Sequence, residues 1–368
     1  MAESIPTPAD VVGVAVMPPP RRSTAAARLR AALTGLADRM APPPVAILEG
    51  LFGVLDHRVL VALCDAGIPD LLVAPIRPAD LAQRAAVDPQ HLERLLRAAA
   101  VKGWVRFDRR GRVRPTRVTA FLRRDHPGGW RAWVDFAGGA EVTSAVAMLS
   151  ATTAATDPFA AANGAPFFEW MARHPGRWAT FDDAMAAGAR MHALALLVAL
   201  DWPADSAICD IGGGTGHLLL TLLQHIPGAT GTVFDLPDVV ARAVHHERIT
   251  AQAGDMFSAV PAGFDTYLLV NVIHDWGDDD AATILANTAA AATAGARILV
   301  VDADHPRRPR DRIATGADVL MAALTGGGRE RDHRALAALA TSAGLRLVAS
   351  TRLASGDWAH ELRASRPG

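Results

Sequence analysis

From Val45 onward, apolar residues recur at helical spacing: Ile47, Leu48, Leu51, Leu55, Leu60 and Leu63 fall on one side of a cylinder, and Gly67 supplies a stop. An amphipathic helix is therefore expected to open a folded unit. Ahead of it, from Met1 to about Pro44, proline, alanine and arginine dominate, with proline runs at 18–20 and 42–44. Such runs interrupt helices, so a loose arm with one short helix over 23–39 is expected. Further on, Arg77-Pro78 and Asp88-Pro89 each set proline at a first helical position, the second behind an N-cap, with Leu92, Leu95 and Leu96 inside the helix that follows. Val105-Arg106-Phe107, a turn at Arg110-Gly111 and Val113-Arg114 come next, predicting a helix-turn-helix with a two-stranded wing. Residues 130–200 read as mostly helical.

After Ser206 the pattern changes to short apolar runs alternating with helical stretches, the signature of an open α/β sheet. Strands are expected at 207–211, 231–234, 248–251, 266–271, 297–301, 345–349 and 358–362, with a helix over 281–292 among the connections. The fold class is thus α/β: a Rossmann-like sheet preceded by a mostly helical winged-helix domain. The chain divides into an arm (1–44), the winged-helix domain (45–130), a helical linker (131–200) and the sheet domain (201–368).

Composition supports two cores, since 368 residues at 50% hydrophobic content exceed one ordinary domain. A formal net charge of -1 provides no chain-wide field for polyanions or anionic membranes. Locally, residues 77–135 carry 14 Lys/Arg against 6 Asp/Glu, 14 - 6 = +8, so a DNA-binding winged-helix regulator is weighed as a rival. Against it, the second helix carries Glu93 and lacks a set of Asn, Gln and Ser for reading base edges. Cys64 and Cys209 have no CxxC or Cys/His spacing, so neither a disulfide framework nor a zinc site is expected, and the protein reads as reduced and cytoplasmic. The longest apolar stretch, 193–200, ends at Asp201, short of a membrane span, and the first residues lack the order of a signal peptide.

The chemistry concentrates at strand ends. Asp210-Ile211-Gly212-Gly213-Gly214-Thr215-Gly216 follows the first strand of the sheet and precedes a helix, a turn that lets backbone approach a polar ligand closely. Its spacing is neither GxGxxG nor a P-loop. Asp235 ends the next strand, about twenty residues on, where an acid can accept both hydroxyls of a ribose. Gly254-Asp255-Met256-Phe257 follows the third strand, offering a carboxylate and two apolar side chains to an adenine. Together these describe one nucleoside site at the sheet's carboxyl edge. On the same edge stands Val272-Ile273-His274-Asp275-Trp276; a histidine can take a proton from a hydroxyl if an acceptor holds its other nitrogen, and Asp302 and Glu330 are the candidates. The bland alternative is a histidine capping the next helix. His245 and His246 read as helix-surface residues.

These motifs, in this order, resemble the two-domain S-adenosylmethionine-dependent O-methyltransferases of plant phenolic and bacterial antibiotic-tailoring pathways, whose N-terminal winged-helix domain dimerises. The resemblance spans about residues 47–362 and includes Phe234-Asp235-Leu236-Pro237 and Gly327-Gly328-Arg329-Glu330-Arg331. It implies S-adenosylmethionine as cofactor, S-adenosylhomocysteine as its product, and donor contacts from Asp210, Gly212, Gly214, Asp235, Leu236, Asp255, Met256, Phe257 and Met185. It further implies His274 as base with Asp302 and Glu330 orienting it, and an aromatic hydroxylated acceptor beside Asp275, Trp276, Met321 and Thr325. A homodimer is implied, with no metal, nucleic acid or membrane. Three positions depart from the family: Val270 stands where Lys or Arg is common, Asp302 where plant members carry Glu, and Ala189 where they place serine. Relatives that bind the donor but hydroxylate, decarboxylate or run pericyclic chemistry form the second rival.

Overall fold

The computed structural model describes residues 20–151, 157–304 and 312–364, which fall into two units, one chiefly 32–143 with 179–187, the other chiefly 144–178 and 188–364. The first unit starts where the proline and cap signals place it. A helix spans Pro43–Asp65 with Pro at its first turn; Val61, Leu63 and Cys64 are buried, whereas Ile47, Leu48, Leu51 and Leu55 are exposed. Asp88 caps the helix Pro89–Val101 by accepting the His91 N–H at 2.7 Å, and Leu92 and Leu96 pack with Leu63, Ile68, Leu81 and Val113 into this unit's core. Strands β1 (Val105–Phe107) and β2 (Val113–Pro115) pair antiparallel, Arg106 opposite Arg114. This is the helix-turn-helix and wing read from the sequence. In the arm, a helix spans Pro20–Met40, longer than the one expected; the arm's earlier residues lie outside the described residues.

The second unit is a seven-stranded sheet in the order β5-β4-β3-β6-β7-β9-β8. Its strands are β3 (Ala207–Ile211), β4 (Thr230–Asp235), β5 (Ile249–Ala253), β6 (Thr266–Val270), β7 (Arg297–Asp302), β8 (Leu345–Arg352) and β9 (Trp358–Ala364). Five run parallel, and β9 joins β7 and β8 antiparallel. The central strands read as unbroken apolar runs because both faces are covered. One face carries a core around Tyr267, Leu269, Ile284 and Val300, the other around Leu196, Leu219, Leu222 and Leu299. The strand order turns back between β3 and β6, which opens a crevice at their carboxyl ends.

Two contacts tie this unit together that no local pattern foretells. Arg248 donates to the carbonyls of Leu223, Ile226, Pro227 and Ala229, closing the C-terminal end of the helix His217–His225. The segment before it is not helical, so His245 and His246 are loop residues rather than helix-surface ones; His246 Nδ1 accepts the Arg248 N–H. The cause is the need to bring Arg248 back under that helix end.

The second contact is buried. His192 Nε2 lies 2.8 Å from Asp357 Oδ2. Burial alone would raise the Asp357 pKa, but the His192 charge and its hydrogen bond hold it at about 2. A carboxyl depressed in the fold stabilises it above its unfolded pKa of about 3.9 and loses that contribution as pH falls through 4 toward 2, an effect of about 2 kcal/mol. Urea unfolding between pH 6 and 2.5 is expected to show this acid-labile share, and Asp357→Asn is expected to lack it. An equal acid loss in the variant would contradict the assignment.

Among the described residues, no helix is long and apolar enough to cross a membrane. Cys64 and Cys209 are buried free thiols.

Candidate active site

The glycine turn leaves β3 at the crevice. Gly212 has φ +64°, and a Cβ there would stand 2.9 Å from the Val272 side chain beyond β6, so only glycine lets the two strand ends close up. Gly213 leaves room for the Asp210 carboxylate, 2.8 Å from where its Cβ would be. Gly214, at φ +58°, has nothing within 4 Å of that position, which leaves open space over the turn. Its N–H donates to Asp235 Oδ2 at 2.8 Å, while Asp235 Oδ1 accepts the Leu236 N–H at 2.7 Å. The end of β4 thus braces the turn at the end of β3.

Asp210 is 2% exposed, and among the described residues its Oδ2 has no hydrogen-bond partner. Burial, with Asp235 nearby, pushes its pKa up to about 8. After β5, Asp255 Oδ1 accepts the Phe257 N–H and Oδ2 the Ser258 hydroxyl, and the Asn287 amide donates to the carbonyls of Met256 and Phe257. The third element is a fixed loop.

His274 follows β6 in a short 3₁₀ turn, Ile273–Asp275, and the next helix, Asp278–Ala291, is capped by Gly277 instead. The capping alternative is thereby excluded. His274 Nδ1 lies 2.8 Å from Glu330 Oε1 and 3.8 Å from Asp302 Oδ1. Of the two candidate acids, the longer one reaches the ring; Asp302, one methylene shorter than glutamate, stops beyond hydrogen-bond range. Asp275 Oδ1 lies 3.7 Å from Nε2 on the other side of the ring. Burial would lower the His274 pKa, but the charge of Asp302, the Glu330 hydrogen bond and the charge of Asp275 raise it to about 10. Burial raises Asp275 to about 6, and it raises Asp302 as well.

The Glu330 loop is held against His274 by backbone. Gly328 packs on the carbonyl side of the His274 turn, where a side chain would collide with Thr325 and His274; the Arg329 N–H donates to the His274 carbonyl at 2.8 Å. Asp318 accepts the Glu330 N–H. Arg331, buried, donates to the carbonyls of Ile273 and Trp276 and pairs with Asp278, clamping both ends of the histidine turn. Sequence reasoning assigned no task to Gly328, Arg331 or Asn287, although the glycine run followed by Arg-Glu-Arg was a usable signal for the first two. Trp276 is stacked on Phe168 at 5.7 Å and meets the Phe257 ring edge-on at 4.7 Å. Met321 and Thr325 lie on and just after the helix Arg312–Leu324, partly buried. Met185 stands in the first unit, on the helix Pro175–Ala199.

A parallel sheet with a braced glycine turn, a strand-end acid and a carboxylate-held histidine on one edge defines a nucleoside-dependent group-transfer fold. Residues 143–346 match the family described as an O-methyltransferase domain, and residues 48–125 match the O-methyltransferase dimerisation domain. The chain belongs to this O-methyltransferase family. It is 31% identical to the O-methyltransferase SfmM3 of Streptomyces lavendulae over 83% of this chain and 96% of that protein. It is 32% identical to the aclacinomycin 10-hydroxylase RdmB of Streptomyces purpurascens over 76% of this chain and 78% of that one. Among solved structures, CalO1, a methyltransferase in calicheamicin biosynthesis in its SAH-bound form, superposes with a TM-score of 0.79 at 30% identity, covering 88% of this chain and 98% of that chain.

Proposed function

We propose that this chain transfers the methyl group of S-adenosylmethionine to a phenolic hydroxyl of an aromatic secondary metabolite, with His274 as general base. Membership of the family makes it an S-adenosylmethionine-dependent O-methyltransferase. The observation that carries the base assignment is the 2.8 Å contact of His274 Nδ1 with Glu330, on the sheet edge that also bears the glycine turn. The crevice suits the methyl donor: among the described residues the turn is open above Gly214 and the buried Asp210 Oδ2 has no partner. Gly212, Gly214 and Asp210 would border the amino-acid end, Asp235 and Leu236 the ribose, and Asp255, Met256 and Phe257 the adenine. When bound, S-adenosylmethionine supplies an electrophilic methyl on a sulfonium.

The chain's residues do the rest. With Nδ1–H donated to Glu330, Nε2 presents its lone pair to the acceptor hydroxyl and takes its proton. Glu330, with Asp302 nearby, stabilises the imidazolium. Trp276, Phe168, Met321 and Thr325 would flank a flat ring, and positioning the reacting oxygen in line supplies much of the rate. We assign residues 45–130 to dimerisation and 131–200 to a helical linker, with the arm 1–44 preceding them and the sheet domain, 201–368, carrying catalysis. The exposed face of Ile47, Leu48, Leu51 and Leu55 suits a second copy of the chain. The two unbridged thiols suit a reducing cytoplasm.

Calorimetric titration with S-adenosylmethionine and S-adenosylhomocysteine, followed by product mass with phenolic acceptors, tests this reading. Donor binding with a gain of one methylene supports it. Donor binding with an oxidised or rearranged product supports the second reading, a non-methylating relative, which Val270 and the similarity to a 10-hydroxylase favour.

The rate should depend on pH with a definite sign. A base whose pKa is raised to about 10 is mostly protonated at neutral pH, so kcat/KM is expected to climb from pH 6 toward pH 10. Glu330→Gln removes a charge that holds the proton, moving the climb to lower pH while reducing the maximum. A profile that is flat in the wild type, or unmoved in Glu330→Gln, would count against His274 as base.

A further inference from the structure

Two flanks of the glycine turn are apolar. Val270, two residues past the pairing of Asp210 with Leu268, stands level with Gly212, and Ala189 comes from the helix Pro175–Ala199. Both pack against the core of Leu218, Leu219 and Leu222, so neither can meet a charge. A carboxylate bound beside this turn without a partner would be costly. The polar groups at this edge of the core stand next to those residues in the chain. His217, which precedes Leu218, opens the helix His217–His225 directly after the turn, with Nδ1 3.0 Å from the Thr215 hydroxyl. A hydroxyl can donate or accept, so this contact serves the neutral ring and the protonated ring alike, and in both states Nε2 can present a proton. Among the described residues Nε2 makes no hydrogen bond.

Arg190 follows Ala189 on the helix Pro175–Ala199, and its charge reaches the His217 ring. Burial first, and Arg190 second, hold the His217 pKa down at about 4. The two carboxylates of this sheet edge lie at the turn itself: Asp210 against Gly213, and Asp235 on the Gly214 and Leu236 N–H groups. A neutral imidazole beside a guanidinium, at the mouth of an open turn, can gain a charge when an anion arrives.

We propose that His217, backed by Arg190, binds the carboxylate at the amino-acid end of S-adenosylmethionine, and that its ring takes up a proton as the donor binds. The proposal rests on the turn being the donor site. An opposite charge within hydrogen-bond reach favours the protonated imidazole and offsets both the burial and the Arg190 repulsion. The sign of the linkage follows. The free ring is neutral above about pH 4 and the bound ring is charged up to a higher pH, so affinity for the donor falls as pH rises between the two. A chain that held the carboxylate with a permanent charge would show no such fall.

The test is calorimetric titration with S-adenosylhomocysteine and with 5′-methylthioadenosine, which lacks the amino-acid end, at pH 6–8 in buffers of different ionisation enthalpy. Wild type is compared with His217→Gln and His217→Lys, each folded by circular dichroism. Asp210, raised to about 8, would release a proton to the ligand's ammonium, so the decisive quantity is the proton count of wild type minus that of His217→Gln. For S-adenosylhomocysteine at pH 7 that difference is expected to be an uptake of about half a proton or more, and for 5′-methylthioadenosine none. His217→Gln should weaken S-adenosylhomocysteine by about 10-fold or more at pH 6 and progressively less toward pH 8, leaving 5′-methylthioadenosine affinity in place. His217→Lys should keep the affinity and lose the proton linkage.

Equal proton counts in wild type and His217→Gln overturn the proposal. So does an equal loss of affinity for both ligands, which would make His217 a support of the glycine turn, and so does wild type binding both ligands equally well. If wild type binds neither ligand, the donor reading of the turn falls first, and the proposal with it.

Discussion

His274→Ala is expected to lower kcat by about 10²–10⁴-fold, the usual contribution of a general base, while affinity for S-adenosylhomocysteine stays in place. The separation follows from geometry. His274 lies after β6 and is held by Glu330, whereas the groups that would bind the donor lie after β3, β4 and β5. A phenol is mostly neutral at pH 7, so without Nε2 the proton must go to water, and alkaline pH should recover part of the lost rate. Single-turnover rates and calorimetry on the same preparation check both halves. Equal turnover in the variant would remove the base assignment and favour acceptors that ionise on their own.

Asp235→Ala is expected to weaken S-adenosylmethionine and S-adenosylhomocysteine binding by about 10–100-fold or more. Two effects act together. The carboxylate would lose its hydrogen bonds to the ribose hydroxyls, and the Gly214 N–H, bonded to Oδ2 at 2.8 Å, would lose the brace that shapes the glycine turn. Asp235→Asn keeps one acceptor oxygen and should fall between wild type and alanine. Removing the Asp235 charge should also lower the pKa of Asp210, which that charge helps to raise. Unchanged donor affinity in Asp235→Ala would show that the ribose is held elsewhere.

Much of the sheet could be read from the chain because its central strands are buried on both faces. Runs such as Tyr267–Leu268–Leu269 have no polar face to confuse the period, and Gly212, Asp235, Gly254 and Asp302 mark where four of the runs end. The glycine turn and the histidine were legible for a related reason: a positive φ at Gly212 and Gly214 and an ionisable group at a strand end are local properties. Distances between segments were not. Nothing in the residue order decides that Glu330 contacts Nδ1 at 2.8 Å while Asp302 stands at 3.8 Å, because that depends on how the loop after Thr325 lies on the histidine turn. Arg248, Asn287 and Arg331 escaped notice because each acts on main-chain carbonyls far away in sequence, and carbonyls carry no residue identity. The helix expected around His245 and His246 failed because Arg248 anchors that segment as a loop.

The separation of 56 positions between His274 and Glu330 also sets an order of events during folding. The glycine turn, Asp235 and the Asp255 loop belong to β3, β4 and β5, which are contiguous in the chain and adjacent in the sheet. The partner of the base arrives only when the segment after Thr325 closes a much longer loop, a contact that comes late when loop closure governs the rate. A refolding chain should therefore regain nucleoside affinity before it regains turnover. During that interval it would sequester the donor without the means to activate an acceptor.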